Sequence, residues 1–220
     1  IFNDLNLELK YNKIIGLYGD EKSNFINLLK NKDFNTGKII DDDYYLNNVI
    51  YICEYDDFVT NIVKDELYVK LNYNESIENK IIKVLNKFEL DNSFLEKNIN
   101  NLSSFEKKLL RLIILMFDKS KIIILSDLFD GIDYKNKSIF IRLLKNIKKN
   151  YNKTIIISDR DMDTINNLVD YVLIVDSKLI LIDKIGNIFD NEDINKIDIN
   201  CPNFIKIKKL LKNKGINIDG

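Results

Sequence analysis

Four short, uninterrupted apolar runs constrain this chain more than any other feature: Lys13–Tyr18 (KIIGLY), Lys121–Leu125 (KIIIL), Thr154–Ser158 (TIIIS) and Val172–Val175 (VLIV). None alternates apolar with polar, as a strand with one wet face would. Strands buried on both faces read this way, and helices must then cover both faces. Helical periodicities fall between the runs. Ser23–Lys30 carries Phe25, Ile26, Leu28 and Leu29; Ile81, Ile82, Leu85 and Phe88 recur at helical spacing; Lys135–Lys149 is amphipathic. The expectation is an α/β chain with a mostly parallel sheet. Phe2–Lys10 alternates, with Leu5, Leu7 and Leu9 on one face, and predicts a half-buried strand. Gly37–Ile40 and Val49–Cys53 predict further strands, Asn61–Phe117 an inserted helical lobe, and Phe204–Lys214 a helix in the tail.

Composition removes whole classes of function. With 45% hydrophobic residues the chain can build a core. It has 33 Lys+Arg against 34 Asp+Glu, so its overall balance gives no electrostatic case for nucleic acid or an anionic membrane. It has no His, which excludes Ser/His and Cys/His catalysis and any His-based zinc site. Two Cys without a CxxC imply a reduced setting. No apolar run approaches the ~18–20 residues that span a bilayer. One Pro, seven Gly and no repeat or linker predict one domain, or one with an inserted lobe. The first residue is Ile1 rather than Met, and the expectation is a chain that continues upstream. Ile, Asn, Lys and Leu dominate throughout, a compositional drift that touches every position.

Four segments carry candidate chemistry. GLYGDEKSNFINLL, from Gly16, is strand, turn and helix around Lys22 and Ser23. Gly16 to Lys22–Ser23 has the spacing of a phosphate-binding loop, G-x-x-x-x-G-K-[ST], with Glu21 at the last Gly position. Such a loop needs Gly for backbone approach, Lys to neutralise phosphate and a hydroxyl for Mg²⁺. Read alone, the segment is also an ordinary strand–helix turn. KIIILSDLFDGID (Lys121–Asp133) is an apolar strand ending in acids, and TIIISDRDMD (Thr154–Asp163) is another with a polar end. The carboxyl ends of strands are where an open α/β sheet presents groups to a ligand. LSSFEKK (Leu102–Lys108) has capping-box spacing between Ser103 and Glu106.

Taken in order, these segments resemble an ATP-binding-cassette ATPase, and most of all the energy-coupling-factor type that powers bacterial vitamin and metal-ion uptake. The resemblance runs from Ile1 to Ile218. Asp4–Gly19 matches the opening hairpin and first nucleotide strand, and Asn35–Ile40 the Gly-containing turn after the first helix. Tyr51–Glu54 leads to the Q-loop with Glu54 at the Gln position. Asn101–Arg111 matches the signature and Lys121–Asp133 the Walker B strand through the D-loop. Asp161, Met162, Asp163 and Asp170 fit the H-loop and following helix. The tail NKIDINCPNFIKIKKLLKNKGINI, with Pro202 and Gly215, points to the subtype.

The resemblance implies a P-loop NTPase-like three-layer fold: a mostly parallel sheet, a small N-terminal antiparallel β part and a helical lobe inserted at about 61–117. It implies a cassette domain over 1–190 and a helical tail over 191–220 that serves dimerisation. It also implies site roles. Asp127 stands at the catalytic Glu position, Arg160 at the H-loop His and Glu54 at the Q-loop Gln. Gly19, Lys22, Ser23 and Ser103 would bind ATP, with Ser23 on Mg²⁺. The aromatic that stacks on adenine would precede Ile1.

Departures from the family pattern are as specific as the match. LSGGQ is LSSFE here, with Ser104 and Phe105 for the two glycines and Glu106 for Gln. In the family those amides face the γ-phosphate held by the opposite subunit, and a Phe blocks such backbone approach. Ser126 sits at the Mg²⁺-linked Asp, and Leu128 at the usual Pro. Aligned without gaps from Asp4, the first loop Gly is Gly19 rather than Gly16, and three loop residues are missing before Lys22. The length and apolarity of KIIGLY favour that register, which sets acidic Asp20 and Glu21 in the remaining turn.

The expected function is thus an ATP-binding subunit of an energy-coupling-factor transporter, binding ATP with Mg²⁺ to energise uptake of a vitamin or metal ion, with impaired hydrolysis. The alternative is a non-hydrolysing structural or regulatory partner of an active cassette subunit, and a third option is a decayed copy. The implied partners are a second cassette subunit, identical or different, and a transmembrane scaffold, with no nucleic acid. The implied location is cytoplasmic, peripheral on the inner face of the cell membrane.

Overall fold

The computed structural model describes residues 7–31, 49–52, 58–71, 74–159, 162–177, 180–196 and 202–215. Their centre is a six-stranded sheet in the order β2-β3-β4-β1-β5-β6. The strands are β1 (Ile14–Tyr18), β2 (Val49–Ile52), β3 (Ile122–Ser126), β4 (Thr154–Ser158), β5 (Tyr171–Val175) and β6 (Ile180–Asp183). β1 is parallel to β4 on one side and β5 on the other; β2, β3 and β4 continue in parallel, and only β6 is antiparallel.

The apolar runs are continuous because alternate residues feed two separate cores. Ile14, Ile123, Leu125, Ile155, Ile157, Val172 and Ile174 pack on one face. Ile15, Leu17, Ile124, Ile156, Leu173 and Val175 pack on the other. α1 (Lys22–Asn31) covers the second face with Phe25 and Ile26. The first face is covered by α4 (Ser104–Phe117) and α5 (Tyr134–Tyr151), through Leu109, Leu112, Phe140, Leu143 and Leu144 among others. Burying each aliphatic side chain is worth about 1.5–3 kcal/mol. The result is the three-layer α/β arrangement that the sequence implies. Asp170 ties the start of β1 to neighbouring elements: its carboxylate accepts from Ile14 N–H at 2.8 Å and from Lys148 Nζ at 2.9 Å.

The helical lobe comprises α2 (Val63–Leu71), α3 (Glu75–Lys87), two 3-10 turns (Asn92–Glu96 and Ile99–Asn101) and the start of α4. Polar caps set its boundaries: Asn74, Asp91, Asn98 and Ser103 each accept a backbone N–H of the turn they open. Fully buried Glu66 pins the chain that enters α2, accepting Val59 N–H at 2.9 Å and Thr60 N–H at 2.8 Å. α6 (Met162–Asn166), α7 (Ile185–Ile188) and α8 (Asn203–Asn213) complete the chain.

Two expectations need adjusting. Residues 7–10 form no strand, although their burial alternates as read and Leu7 and Leu9 pack on the second core. A ladder needs a partner strand; the expected strand Gly37–Ile40 lies outside the described residues, as do residues 1–6. β6 and α7 were not read from the sequence, although β6 carries three apolar residues, Ile180, Leu181 and Ile182.

Candidate nucleotide-phosphate site

Strand register brings the candidate segments to one edge of the sheet. Tyr18 lies beside Ile174 on β5, and Ser126 lies beside Ser158 on β4. The carboxyl ends of β1, β3, β4 and β5 therefore share an edge, and Lys22 opens α1 directly after the central strand. Gly16 is an interior residue of β1, so Gly19 is the glycine of the turn.

That turn does not have the form of a phosphate cradle. A cradle aims successive backbone N–H groups at the anion. Only Gly19, Asp20 and Glu21 separate β1 from α1. Glu21 N–H donates to the Val175 carbonyl at 3.2 Å, and Lys22 N–H to the Gly19 carbonyl at 3.4 Å. Gly19, at φ +102°, lies so close to β5 that a Cβ there would stand 2.1 Å from the Val175 carbonyl oxygen. The Glu21 carboxylate accepts from Asn24 Nδ2 at 2.6 Å, which fixes a negative charge at the first turn of α1. Helix N-termini attract anions, and here the chain supplies its own. These residues do not fit a wrapped triphosphate. Ser23 is exposed and Lys22 half-buried, and among the described residues neither side chain has a hydrogen-bond partner. Nor do any three Cys, Asp or Glu side chains cluster among the described residues as a metal site.

β3 leads into a tightly held turn. Asp127 has φ +52° and donates its N–H to the Ser158 carbonyl at 2.8 Å. Buried Asp159 accepts Phe129 N–H at 2.7 Å. Lys108, 4% exposed, reaches from α4 to the carbonyls of Asp127 at 3.1 Å and Asp130 at 2.7 Å. Asp133 then caps α5, and the Asn136 N–H it accepts holds its carboxyl below the ordinary range.

The segment at the signature position is a helix cap. Ser103 Oγ accepts Glu106 N–H at 3.3 Å, and Ser103 N–H donates to Glu106 Oε2 at 2.9 Å. Lys97 Nζ holds the other Glu106 oxygen at 2.6 Å. The Phe105 ring stacks on Phe140 of α5, centroids 5.0 Å apart. Ser103 and Glu106 of LSSFE thus serve the fold of α4.

Of the residues expected at the site, Gly19, Lys22, Ser23 and Asp127 sit on the shared edge, and Ser103 caps α4. Glu54 and Arg160 lie outside the described residues. Lys108, Asp159 and Val175 were not singled out by the sequence. Lys108 had a signal: with Leu112 and Leu115 it falls on the apolar face of α4, where an unpaired lysine is costly. Val175 had none, because its role rests on a backbone carbonyl.

No model of a known protein family matches the chain. It is 27% identical to the energy-coupling factor transporter ATP-binding protein EcfA2 of Mycoplasma capricolum subsp. capricolum, over 98% of this chain and 84% of that one. The corresponding protein of Clostridium tetani is 26% identical over 98% and 83%. Among solved structures, cbiO1 from Clostridium perfringens, part of the ABC transporter complex cbiONQ, superposes with a TM-score of 0.70 at 19% identity, covering 94% of this chain and 90% of that one. A putative metal-chelate type ABC transporter in an inward-facing conformation also gives 0.70, at 17% identity, covering 88% and 80%. Among the described residues no helix is long and apolar enough to cross a membrane. Over nearly its whole length the chain is similar to energy-coupling-factor transporter ATP-binding proteins, and its fold is that of the ATP-binding cassettes.

Proposed function

We propose that the chain serves an energy-coupling-factor transporter for a vitamin or metal ion as a cassette subunit whose own hydrolysis is impaired. It would sit beside a second cassette subunit on a transmembrane scaffold, at the cytoplasmic face of the membrane. In this reading residues 1–190 are the cassette and 191–220 a tail that helps pair it. The names of its relatives and the intact sheet support the transporter role. The single observation that carries the impairment is the Glu21 N–H donated to the Val175 carbonyl, which turns a phosphate-facing amide inward.

Two forms of this reading differ in whether ATP is held at all. The closed turn supports the second, a structural or regulatory subunit that holds no triphosphate of its own. Thermal unfolding with and without MgATP separates them. A ligand at ~100 times its Kd adds about 2.7 kcal/mol; in the second form millimolar MgATP should leave the melting temperature unchanged, and a rise of several degrees overturns that form in favour of the first. Co-purification with a scaffold and a second cassette subunit tests the transporter role, and their absence would mark a decayed copy.

A further inference from the structure

Helices α3 and α5 share a face of one charge sign. α5 contains Lys135, Lys137, Arg142, Lys145, Lys148 and Lys149 and no acid. Lys148 is spent on Asp170 at 2.9 Å. Arg142, Lys145 and Lys149, at i, i+3 and i+7, are exposed along one line of the helix. Lys80, Lys83 and Lys87 repeat that spacing and that exposure on α3. The two lines meet. Lys87 Nζ donates to Asn146 Oδ1 at 3.1 Å, one turn from Arg142. Lys87 and Arg142 both lie over the buried Phe88 ring, 5.7 and 5.6 Å from its centroid. Among the described residues none of these six cations makes an ion pair. Glu75 and Glu78 lie at the far end of α3, and Glu78 is taken by Lys64 at 2.9 Å. Glu89, exposed after Phe88, is the acid next to the meeting point in sequence. Six cations against that one acid is a segregation of charge, because the whole chain has 33 basic residues against 34 acidic.

We propose that this face docks a short acidic segment of a different protein chain, an extended run rich in Asp or Glu laid from α3 across to α5. The proposal goes beyond the transporter reading and does not depend on it. Its length follows from geometry. Seven residues of rise on each helix is about 10 Å, and the crossing adds about 10 Å. An extended chain advances about 3.3 Å per residue, so about nine residues span the face. A membrane or a nucleic acid is the wrong occupant. Each spreads its negative charge over more area than this face, so it also meets the rest of the molecule, and a net charge of −1 offers no attraction there. A short segment senses only the charges within a Debye length, ~8 Å at physiological salt. Tyr134 is the exposed large apolar residue of α5, and it stands at the other end of the helix. The face itself therefore lacks the aromatics on which single-stranded bases stack, and the apolar centre of a broad folded interface. Charge complementarity with a flexible acidic segment needs neither.

The test uses the full chain and a fluorescent peptide of about nine residues, mostly Glu with Gly between, beside a twin with Gln for every Glu. The acidic peptide should bind about tenfold or more tighter than its twin, and binding should weaken steeply from about 0.05 M to about 0.5 M salt. The double change Arg142→Glu with Lys145→Glu should lose about tenfold or more in affinity and leave the melting temperature unchanged. Should that variant fold poorly, Lys83→Gln with Lys149→Gln tests the same face more gently and should also weaken binding. Lys206→Glu with Lys208→Glu makes the same change of charge on α8, where both lysines are exposed, and should bind the peptide as the natural chain does. Five results each overturn the proposal: no binding, equal binding of the two peptides, equal loss in the α8 variant, self-association in sedimentation that the Arg142 and Lys145 changes abolish, or binding to phosphatidylserine vesicles or an oligouridylate that exceeds peptide binding and is lost with the same changes.

Discussion

Glu21 and Val175 are joined backbone to backbone across the carboxyl edge of the sheet, N–H to carbonyl at 3.2 Å. This one bond fastens the start of α1 to the end of β5. Restoring the missing loop length should undo it. A variant with three residues inserted after Gly19, together with Asp20→Gly and Glu21→Gly, should show a larger MgATP-dependent rise in melting temperature than the natural chain. If insertion changes nothing while the variant stays folded, the short turn is not what excludes the triphosphate.

Of Gly19 and Gly131, Gly19 should be much the less replaceable. Its φ is +102° and a Cβ would meet the Val175 carbonyl oxygen at 2.1 Å, whereas at Gly131, φ +66°, nothing lies within 4 Å. Gly19→Ala should cost about 3 kcal/mol, from strain plus collision, and Gly131→Ala about 1 kcal/mol. Urea denaturation of both variants checks the order, and equal losses would contradict the close approach.

Lys108 holds the turn after β3 from inside the protein. Lys108→Met strands the carbonyls of Asp127 and Asp130, and should cost about 3 kcal/mol, since each unsatisfied buried acceptor costs ~1–3 kcal/mol. Lys107→Met, at a half-buried neighbour, should stay within about 0.5 kcal/mol. Similar losses for the two lysines would remove Lys108 from this role.

Ser103 and Glu106 act as a unit, so Ser103→Ala should cost about 1 kcal/mol and add little once Glu106→Gln is present. Burial pushes the Glu106 carboxyl up, but Lys97 and Ser103 more than reverse this and leave it below its ordinary range. A carboxyl depressed in the folded state contributes stability above its unfolded value, about 4.3, and loses it as pH falls through the folded value. The gap between wild type and Glu106→Gln should therefore close below about pH 4 in acid-unfolding curves.

Lys153 gives the opposite pH signature. Burial lowers its ammonium to about 8, while its Nζ donates to the carbonyls of Asp118 and Ser120 at 2.8 and 2.6 Å. Above that value the folded chain has released a proton that the unfolded chain keeps to about 10.4. Unfolding then takes up protons, so stability should rise from pH 8 toward 10.4 relative to Lys153→Met. A flat difference over that window would show that Lys153 does not titrate early.

The sequence by itself determined the layered sheet and carried the likeness to the ATP-binding cassettes. KIIGLY, KIIIL, TIIIS and VLIV are local signals, because burial on both faces leaves no polar residue in the strand. The resemblance also implied, as an expectation, a signature without its glycines and a loop three residues short. Only the tertiary structure decided what those losses became. Glu21 meets Val175 through the order of β1 and β5, and Lys108 meets Asp127 through the packing of α4 beside β3. These are contacts between backbone groups and between residues far apart in sequence, and neither composition nor local periodicity encodes them.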